Sequence, residues 1–238
     1  METGVDRRSV WPPEELQRLN EQFKTQPPEA LLAWAAHTFR PRIALTCSFS
    51  GPSGMVLLDM IARFNLDITV VFLDTDLLFS ETYELAAAAE RRYGIPIQRR
   101  RPALSLEEQD RQEGPQLYAR DPDRCCQLRK VAPLAETLRH YDAWISGLRR
   151  DQSATRATID LLEWNTRHHL VKINPLAFWT DRQTWAYIHH HQVPYNPLLD
   201  RGYPSIGCTP CTRPATVSDP RAGRWVGFAK TECGLHTA

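Results

Sequence analysis

The sequence contains no apolar run approaching the roughly 18 residues that a membrane helix requires; even Ile68 to Leu73 is bracketed by Asp67 and Asp74. No helical membrane span is expected. It also lacks a dominant charge, because 29 Lys and Arg against 28 Asp and Glu leave +1, and this gives no overall attraction to a nucleic-acid backbone or an anionic membrane. Recognition of any anion must be local. Met1 to Val10 carry no apolar stretch of the secretory kind, so the expected setting is the reducing cytoplasm. There, six cysteines are expected to be ligands or catalysts and not a disulfide frame. There is no fixed-period repeat and no low-complexity tract longer than Ala86 to Ala89. What remains is 238 residues, 42% apolar and 24% charged, an ordinary globular composition that points to a soluble protein with one large domain and a small appendage.

The periodicity predicts helices opening at Pro12 and Pro13 and running from Pro28 to Phe39, so residues 1–40 form a helical segment. Short β-rich runs then alternate with amphipathic stretches. The runs are Ile43 to Phe49, Ile68 to Leu73, Ile95 to Arg99, Asp142 to Ser146 and Leu170 to Ile173; the helices are Met55 to Phe64, Glu81 to Tyr93, Gln127 to Arg139 and Asp181 to Gln192. This order is the signature of an α/β core over 41–200, a mainly parallel sheet flanked by helices. Residues 201–238, with five basic and two acidic side chains, are expected to lie across it as a separate segment. Ligands of such sheets sit at the carboxyl ends of the strands. That directs attention to the loops after Phe49, Leu73 and Ser146.

The strongest chemical signal is Cys125-Cys126 followed by Cys208-Thr209-Pro210-Cys211. Two close pairs of thiols suit a tetrahedral soft-metal site, either structural zinc or an iron–sulfur cluster. Adjacent cysteines cannot both grip one small ion without backbone strain, whereas a [4Fe-4S] cluster offers each its own iron, so the cluster is favoured. Cys47 reads as core. Cys233 lies near the end of the chain, where exposure and mobility are expected, and the basic neighbours Lys230 and His236 would favour its thiolate as a nucleophile.

The stretch Ser48 to Gly54 joins a strand to a helix and would aim N–H groups and hydroxyls at an anion. It lacks the Gly-Lys-Ser/Thr ending of a triphosphate loop. Basic residues gather near the cysteines and after the fourth strand, namely Arg124, Arg129, Lys130, Arg149, Arg150, Arg156, Arg213, Arg221 and Arg224, and together they point to a small, doubly charged anion. His168, His169 and His189 to His191 read as packing or surface residues.

These motifs resemble the iron–sulfur branch of the phosphoadenylylsulfate reductase family, the assimilatory adenylylsulfate (APS) reductases. The resemblance runs from about Ile43 to His236. It is carried by Ser48-Phe49-Ser50-Gly51, Leu73-Asp74-Thr75 with Glu81-Thr82-Tyr83, Cys125-Cys126 with Arg129-Lys130, and Gly147-Leu148-Arg149-Arg150-Asp151-Gln152-Ser153. Gly202 to Cys208 with Cys211, Arg221-Ala222-Gly223-Arg224-Trp225 and Glu232-Cys233-Gly234-Leu235-His236 complete it.

The resemblance implies an adenine nucleotide alpha hydrolase-like fold with a flexible C-terminal tail, and thioredoxin-dependent reduction of adenylylsulfate to sulfite and AMP. Cys233 would be the catalytic nucleophile and carry an S-sulfocysteine; Cys125, Cys126, Cys208 and Cys211 would hold a [4Fe-4S] cluster. Lys130, Arg221, Arg224 and His236 would meet the sulfate. Ser48, Ser50, Gly51, Leu73, Thr75, Gly147, Arg149 and Arg156 would serve the rest of the nucleotide. A thioredoxin or glutaredoxin-like dithiol is the implied partner, and whether the chain forms a homo-oligomer is left open.

Reduction of the 3′-phosphorylated substrate (PAPS) and a zinc-stabilised nucleotide-binding protein are the competing readings. The cysteine pairs, absent from cluster-free PAPS reductases, weigh against the first. Two departures, Pro52-Ser53-Gly54 after the first loop and Asp76 in place of a usual glycine, are expected to tune nucleotide contacts without altering the chemistry.

Overall fold

In a computed structural model, residues 11–216 and 219–236 are described; the leader reading of Met1 to Val10 lies outside them. Four largely buried runs, Ile43–Thr46 (β1), Thr69–Leu73 (β2), Ala143–Ile145 (β4) and Leu170–Ile173 (β6), pair in parallel as the centre of one sheet. Adding Ile97–Arg100 (β3) and Leu162–Asn165 (β5) gives six strands in the order β3-β2-β1-β4-β6-β5, with only β5 antiparallel.

The two edges are blunted differently. β3 presents Gln98, Arg99 and Arg100 to solvent, charges that discourage edge pairing. Along β5, Asn20 of helix α1 (Pro13–Phe23) accepts from the Leu162 N–H at 2.9 Å and donates to its carbonyl at 3.0 Å. A side-chain amide thereby stands in for the missing neighbour strand.

Helix α2 (Pro28–Phe39) packs beside α1 through Phe23 and Trp34, whose ring centroids are 5.5 Å apart. Helix α3 (Pro52–Arg63) is apolar nearly all round, with Met55 to Leu58, Met60 and Ile61 buried, as befits a helix covered on both sides. Its one buried charge, Asp59, accepts from Tyr93 at 3.0 Å and Tyr187 at 2.8 Å. Those tyrosines tie it to α4 (Ser80–Tyr93) and, in the last long helix, Asp181–His191. Removing one buried leucine such as Leu57 to alanine would cost about 2–5 kcal/mol.

The structure departs from the sequence-based expectation in three places, of which the added strand β5 is one. The stretch 106–126, left without elements, folds as Leu106–Glu113 (α5), Leu117–Arg120 (α6) and Pro122–Cys126 (α7). The helix expected over Gln127 to Arg139 begins as a π-helical turn, Gln127–Val131, and becomes α-helical (α8) only at Ala132–Leu138. The wider turn closes with the Ala132 N–H on the Gln127 carbonyl, and such single turns recur at functional sites. The last long helix, Asp181–His191, is α9.

Candidate active site

A cavity of about 620 Å³ opens at the carboxyl ends of β1, β2 and β4, where the strand order predicts it. Its wall brings together every residue assigned from the sequence to nucleotide or sulfate: Ser48, Ser50 and Gly51 after β1, Leu73 and Thr75 after β2, Gly147, Arg149 and Arg156 after β4, then Lys130, Arg221, Arg224 and His236, with Cys233 beside them. Two glycines stand where neighbouring groups approach closely. A Cβ on Gly147 would stand 3.1 Å from both the Gly54 nitrogen and the Ser53 Cβ, where the β4 loop abuts the start of α3. One on Gly207 would stand 2.2 Å from Arg224 Nη2, so only glycine lets that guanidinium lie there.

The loop after β2 is fixed by a residue that sequence reasoning left without a role. Asp74, fully buried, accepts from the Asp76 N–H at 2.9 Å, Tyr83 at 2.6 Å, Arg99 at 2.6 Å and Arg101 at 3.1 Å. Burial alone would raise its pKa, but these donors outweigh it and hold the carboxyl below its ordinary value. Asp76 was expected to alter nucleotide contacts. It adopts φ 57°, is not among the residues lining the cavity, and pairs with Arg129 at 2.6 Å.

The cationic groups divide sharply. Arg129 is buried and consumed by Asp76, Gln109 and the Thr75 carbonyl; Arg124 pairs with Glu113, Arg150 with Asp160, and Arg213 binds backbone carbonyls. These four do not reach the cavity, whereas Lys130, Arg149, Arg156, Arg221 and Arg224 line it, so each of the three basic groups is represented there by only some of its members. Arg149 reaches it with its donors taken by Ser53 at 2.7 Å, Asp151 at 2.9 Å and Asp181 at 3.0 Å, and so clamps the β4 loop to α3.

Lys130 meets no carboxylate among the described residues. Burial would depress its ammonium, but the sulfurs of Cys208, Cys233 and Cys126 overcome that and raise it.

Around Trp225 the arrangement is richer than its motif disclosed. Arg224 lies 4.4 Å, Lys230 5.4 Å and Arg221 5.8 Å from its ring centroid, so one indole carries three cations. Among the described residues, the buried side-chain nitrogens and oxygens without a partner are Arg224 Nε, Trp225 Nε1 and His236 Nδ1. All three side chains line the cavity. Unpaired buried polar atoms are rare, and three in one place point to a polar guest.

Residues 230–236 are docked as a strap. Glu232 accepts from Arg156 at 3.0 and 3.2 Å, from Arg221 at 3.3 Å and from Thr155 at 3.3 Å. Lys230 is paired with Asp123, Leu235 packs against a cluster of Leu134, Leu138, Trp144 and Leu170, and His236 stacks on Trp144 at 5.2 Å. Burial, with Lys172 and Arg156 adding to it, pushes His236 well below its ordinary value. At neutral pH it offers a neutral ring. Cys233 is half-buried on the strap, facing the cations, whereas Cys47 is sealed at the cavity floor and burial pushes its thiol up to about 12.

Cys125 and Cys126 on α7 come together with Cys208 and Cys211. Burial first, then the three other sulfurs, pushes Cys125 up to about 12; burial, then Cys208, pushes Cys211 up to about 11. Cys208 Sγ also lies 3.3 Å from Thr75 Oγ1. Yet among the described residues no three Cys, His, Asp or Glu side chains converge enough to grip a single metal ion.

Residues 42–214 match the phosphoadenosine phosphosulfate reductase domain family. An adenosine 5′-phosphosulfate reductase of Salinibacter ruber is 49% identical over 232 residues, covering 97% of this chain and 92% of that protein. Among solved structures, a phosphoadenylyl-sulfate reductase of Candida auris, a phosphate complex, superposes with a TM-score of 0.77 at 31% identity over 86% of this chain and 99% of the other. An FMN adenylyltransferase of Candida glabrata shares the fold alone, at 13% identity and a TM-score of 0.57 over 87% of this chain and 68% of the other. No helix of the described residues is long and apolar enough to cross a membrane.

Proposed function

The chain belongs to the phosphoadenosine phosphosulfate reductase domain family, and from that membership we propose that it reduces adenylylsulfate to sulfite and AMP with electrons from a thioredoxin or glutaredoxin-like dithiol. One observation carries the reading: three buried, unpartnered polar atoms and an uncompensated lysine surround the face of the cavity on which Cys233 lies.

A thiolate approaching a sulfate ester is repelled by the ester's anionic oxygens. Lys130, Arg221 and Arg224 offset that repulsion where charge is held, with the Trp225 N–H and the neutral His236 ring as further hydrogen-bonding groups. The loops after β1, β2 and β4 would hold the nucleotide through backbone N–H groups and hydroxyls at the start of α3. Cys233 Sγ then attacks the sulfur, the bond from sulfur to the phosphate oxygen breaks, AMP leaves, and the sulfonate stays on Cys233. A dithiol thiolate next attacks Cys233 Sγ and expels sulfite. Its second thiol resolves the mixed disulfide, restores the Cys233 thiol and leaves the partner oxidised by two electrons. Cys125, Cys126, Cys208 and Cys211 would hold a [4Fe-4S] cluster, whose charge would help orient the sulfate without passing electrons.

The test is intact-mass and peptide mass spectrometry after incubation with adenylylsulfate and no reductant. A sulfonate adduct on Cys233, absent in Cys233→Ser, is expected; an unmodified Cys233 would overturn the reading. The same assay with PAPS measures the choice of nucleotide.

A further inference from the structure

The sequence marks the start of α3 as an anion-binding turn, yet its donors are missing or spent. Pro52, the first residue of the helix, has no N–H, and the Ser53 hydroxyl is held by Arg149 Nη1. Carboxylates take the rest of that guanidinium: Nε donates to Asp151 and Nη2 to Asp181. The second Asp151 oxygen accepts from the Asp181 N–H at 2.5 Å, which occupies the first free donor of α9 as well. Arg149 is 5% exposed, and each of its three side-chain nitrogens is already engaged. Two carboxylates thus meet one guanidinium, and the cluster brings a formal charge of −1 to the cavity wall.

The groups that await an anion are other members of the same wall, namely Lys130 and Arg224, whose Nε is buried without a partner. Over the whole wall, five basic and three acidic side chains leave a formal excess of two positive charges. A phosphosulfate carries two negative charges at neutral pH, whereas a 3′-phosphate adds about 1.5 to 2 more. The wall matches the nucleotide that has only the phosphosulfate and falls short for the one that has both.

We propose, resting on the function assigned above, that Asp151 and Asp181 are specificity-determining residues: together they withhold Arg149 and the start of α3 from a phosphate, and so favour adenylylsulfate over PAPS. Neutral ribose hydroxyls can donate to these carboxylate oxygens. A phosphate in their place meets like charge, with the adjacent guanidinium already spent. The preference is then set by an element that repels the wrong nucleotide, in addition to the cations that attract both.

AMP and adenosine 3′,5′-bisphosphate differ by the 3′-phosphate alone, and titration calorimetry of the anaerobically purified protein measures the binding of each. The unmodified protein is expected to bind AMP more tightly. Asp151→Asn keeps an amide oxygen for Arg149 and should shift the ratio of the two constants about tenfold toward the bisphosphate. Asp181→Asn should shift it about threefold, because that side chain is 65% exposed, against 32% for Asp151, and is more screened. Asp151→Glu disturbs the fit but keeps the charge, so its ratio should stay within about twofold of the unmodified value. A ratio unmoved in both Asn variants, or moved as far by Asp151→Glu as by Asp151→Asn, would show a merely structural clamp and overturn the proposal. Tighter binding of the bisphosphate by the unmodified protein would overturn it too. Failure of the assigned function looks different: the unmodified protein then gains no sulfonate adduct from adenylylsulfate, whatever the ratio of the two constants.

Discussion

Replacing Glu232 by glutamine should loosen the strap by a calculable amount. Its carboxylate accepts two hydrogen bonds from Arg156 and one from Arg221, and its side chain is 21% exposed. Charged hydrogen bonds contribute about 1.5–3 kcal/mol each when buried, but partial exposure and the retained neutral bonds reduce the whole difference to about 1–2 kcal/mol. That raises the undocked population roughly 5- to 30-fold. Lys230, 6% exposed and paired with Asp123 in the docked strap, supplies the reporter, because trypsin can cut after it only when the strap lifts. Cleavage tracks the open population when closing outpaces cutting. The released peptide, followed by mass spectrometry and normalised to cleavage of the matching free peptides, should appear 5- to 30-fold faster in Glu232→Gln, by the same estimate of about 1–2 kcal/mol. An unchanged normalised rate would refute the idea that these ion pairs hold the strap.

Acidification should loosen it by another route. The folded value of His236 lies below the ordinary 6.5, so the neutral ring's contribution is complete above 6.5 and is lost as pH falls beneath it. Tryptic release corrected for the enzyme's own pH profile should rise by up to about tenfold per unit there, and a flat profile would contradict a sealed, neutral ring. Asp76→Gly relieves a left-handed backbone but leaves Arg129 Nη2 buried without its partner; a net loss of about 1–2 kcal/mol and a Tm lower by a few degrees is expected, and a raised Tm would show that strain outweighs the ion pair. Cys208→Ser should lose iron, as measured by metal and sulfide analysis of anaerobically purified protein, and retention of full iron would remove Cys208 from the ligand set.

The sheet and the cavity were legible because their signals are local. Doubly apolar runs such as Thr69–Leu73 read as central strands, and small or polar residues immediately after them mark the ligand face. β5 was not seen: it is four residues long and Glu163 interrupts its apolar character. The charge of helix α5 masks its helical period, although Ser105 and Glu108 form a capping box that three-residue spacing discloses. The role of Glu232 depends on an arginine 76 residues away, and that of Trp225 on three cations from separate positions. Neither leaves a periodic trace. The fates of Arg124, Arg129 and Arg150 were hidden for the same reason, since a list of arginines does not tell which ones acidic neighbours will neutralise.

The pairing of Asn20 with Leu162 makes the first helix a guard against self-association. A chain shortened from its amino end past residue 20 would bare a strand rim with its peptide groups unmated, ready to template a like rim on another copy. Loss of solubility through stacking of sheets is then the expected failure of such a truncation, ahead of any loss of chemistry at the distant cavity.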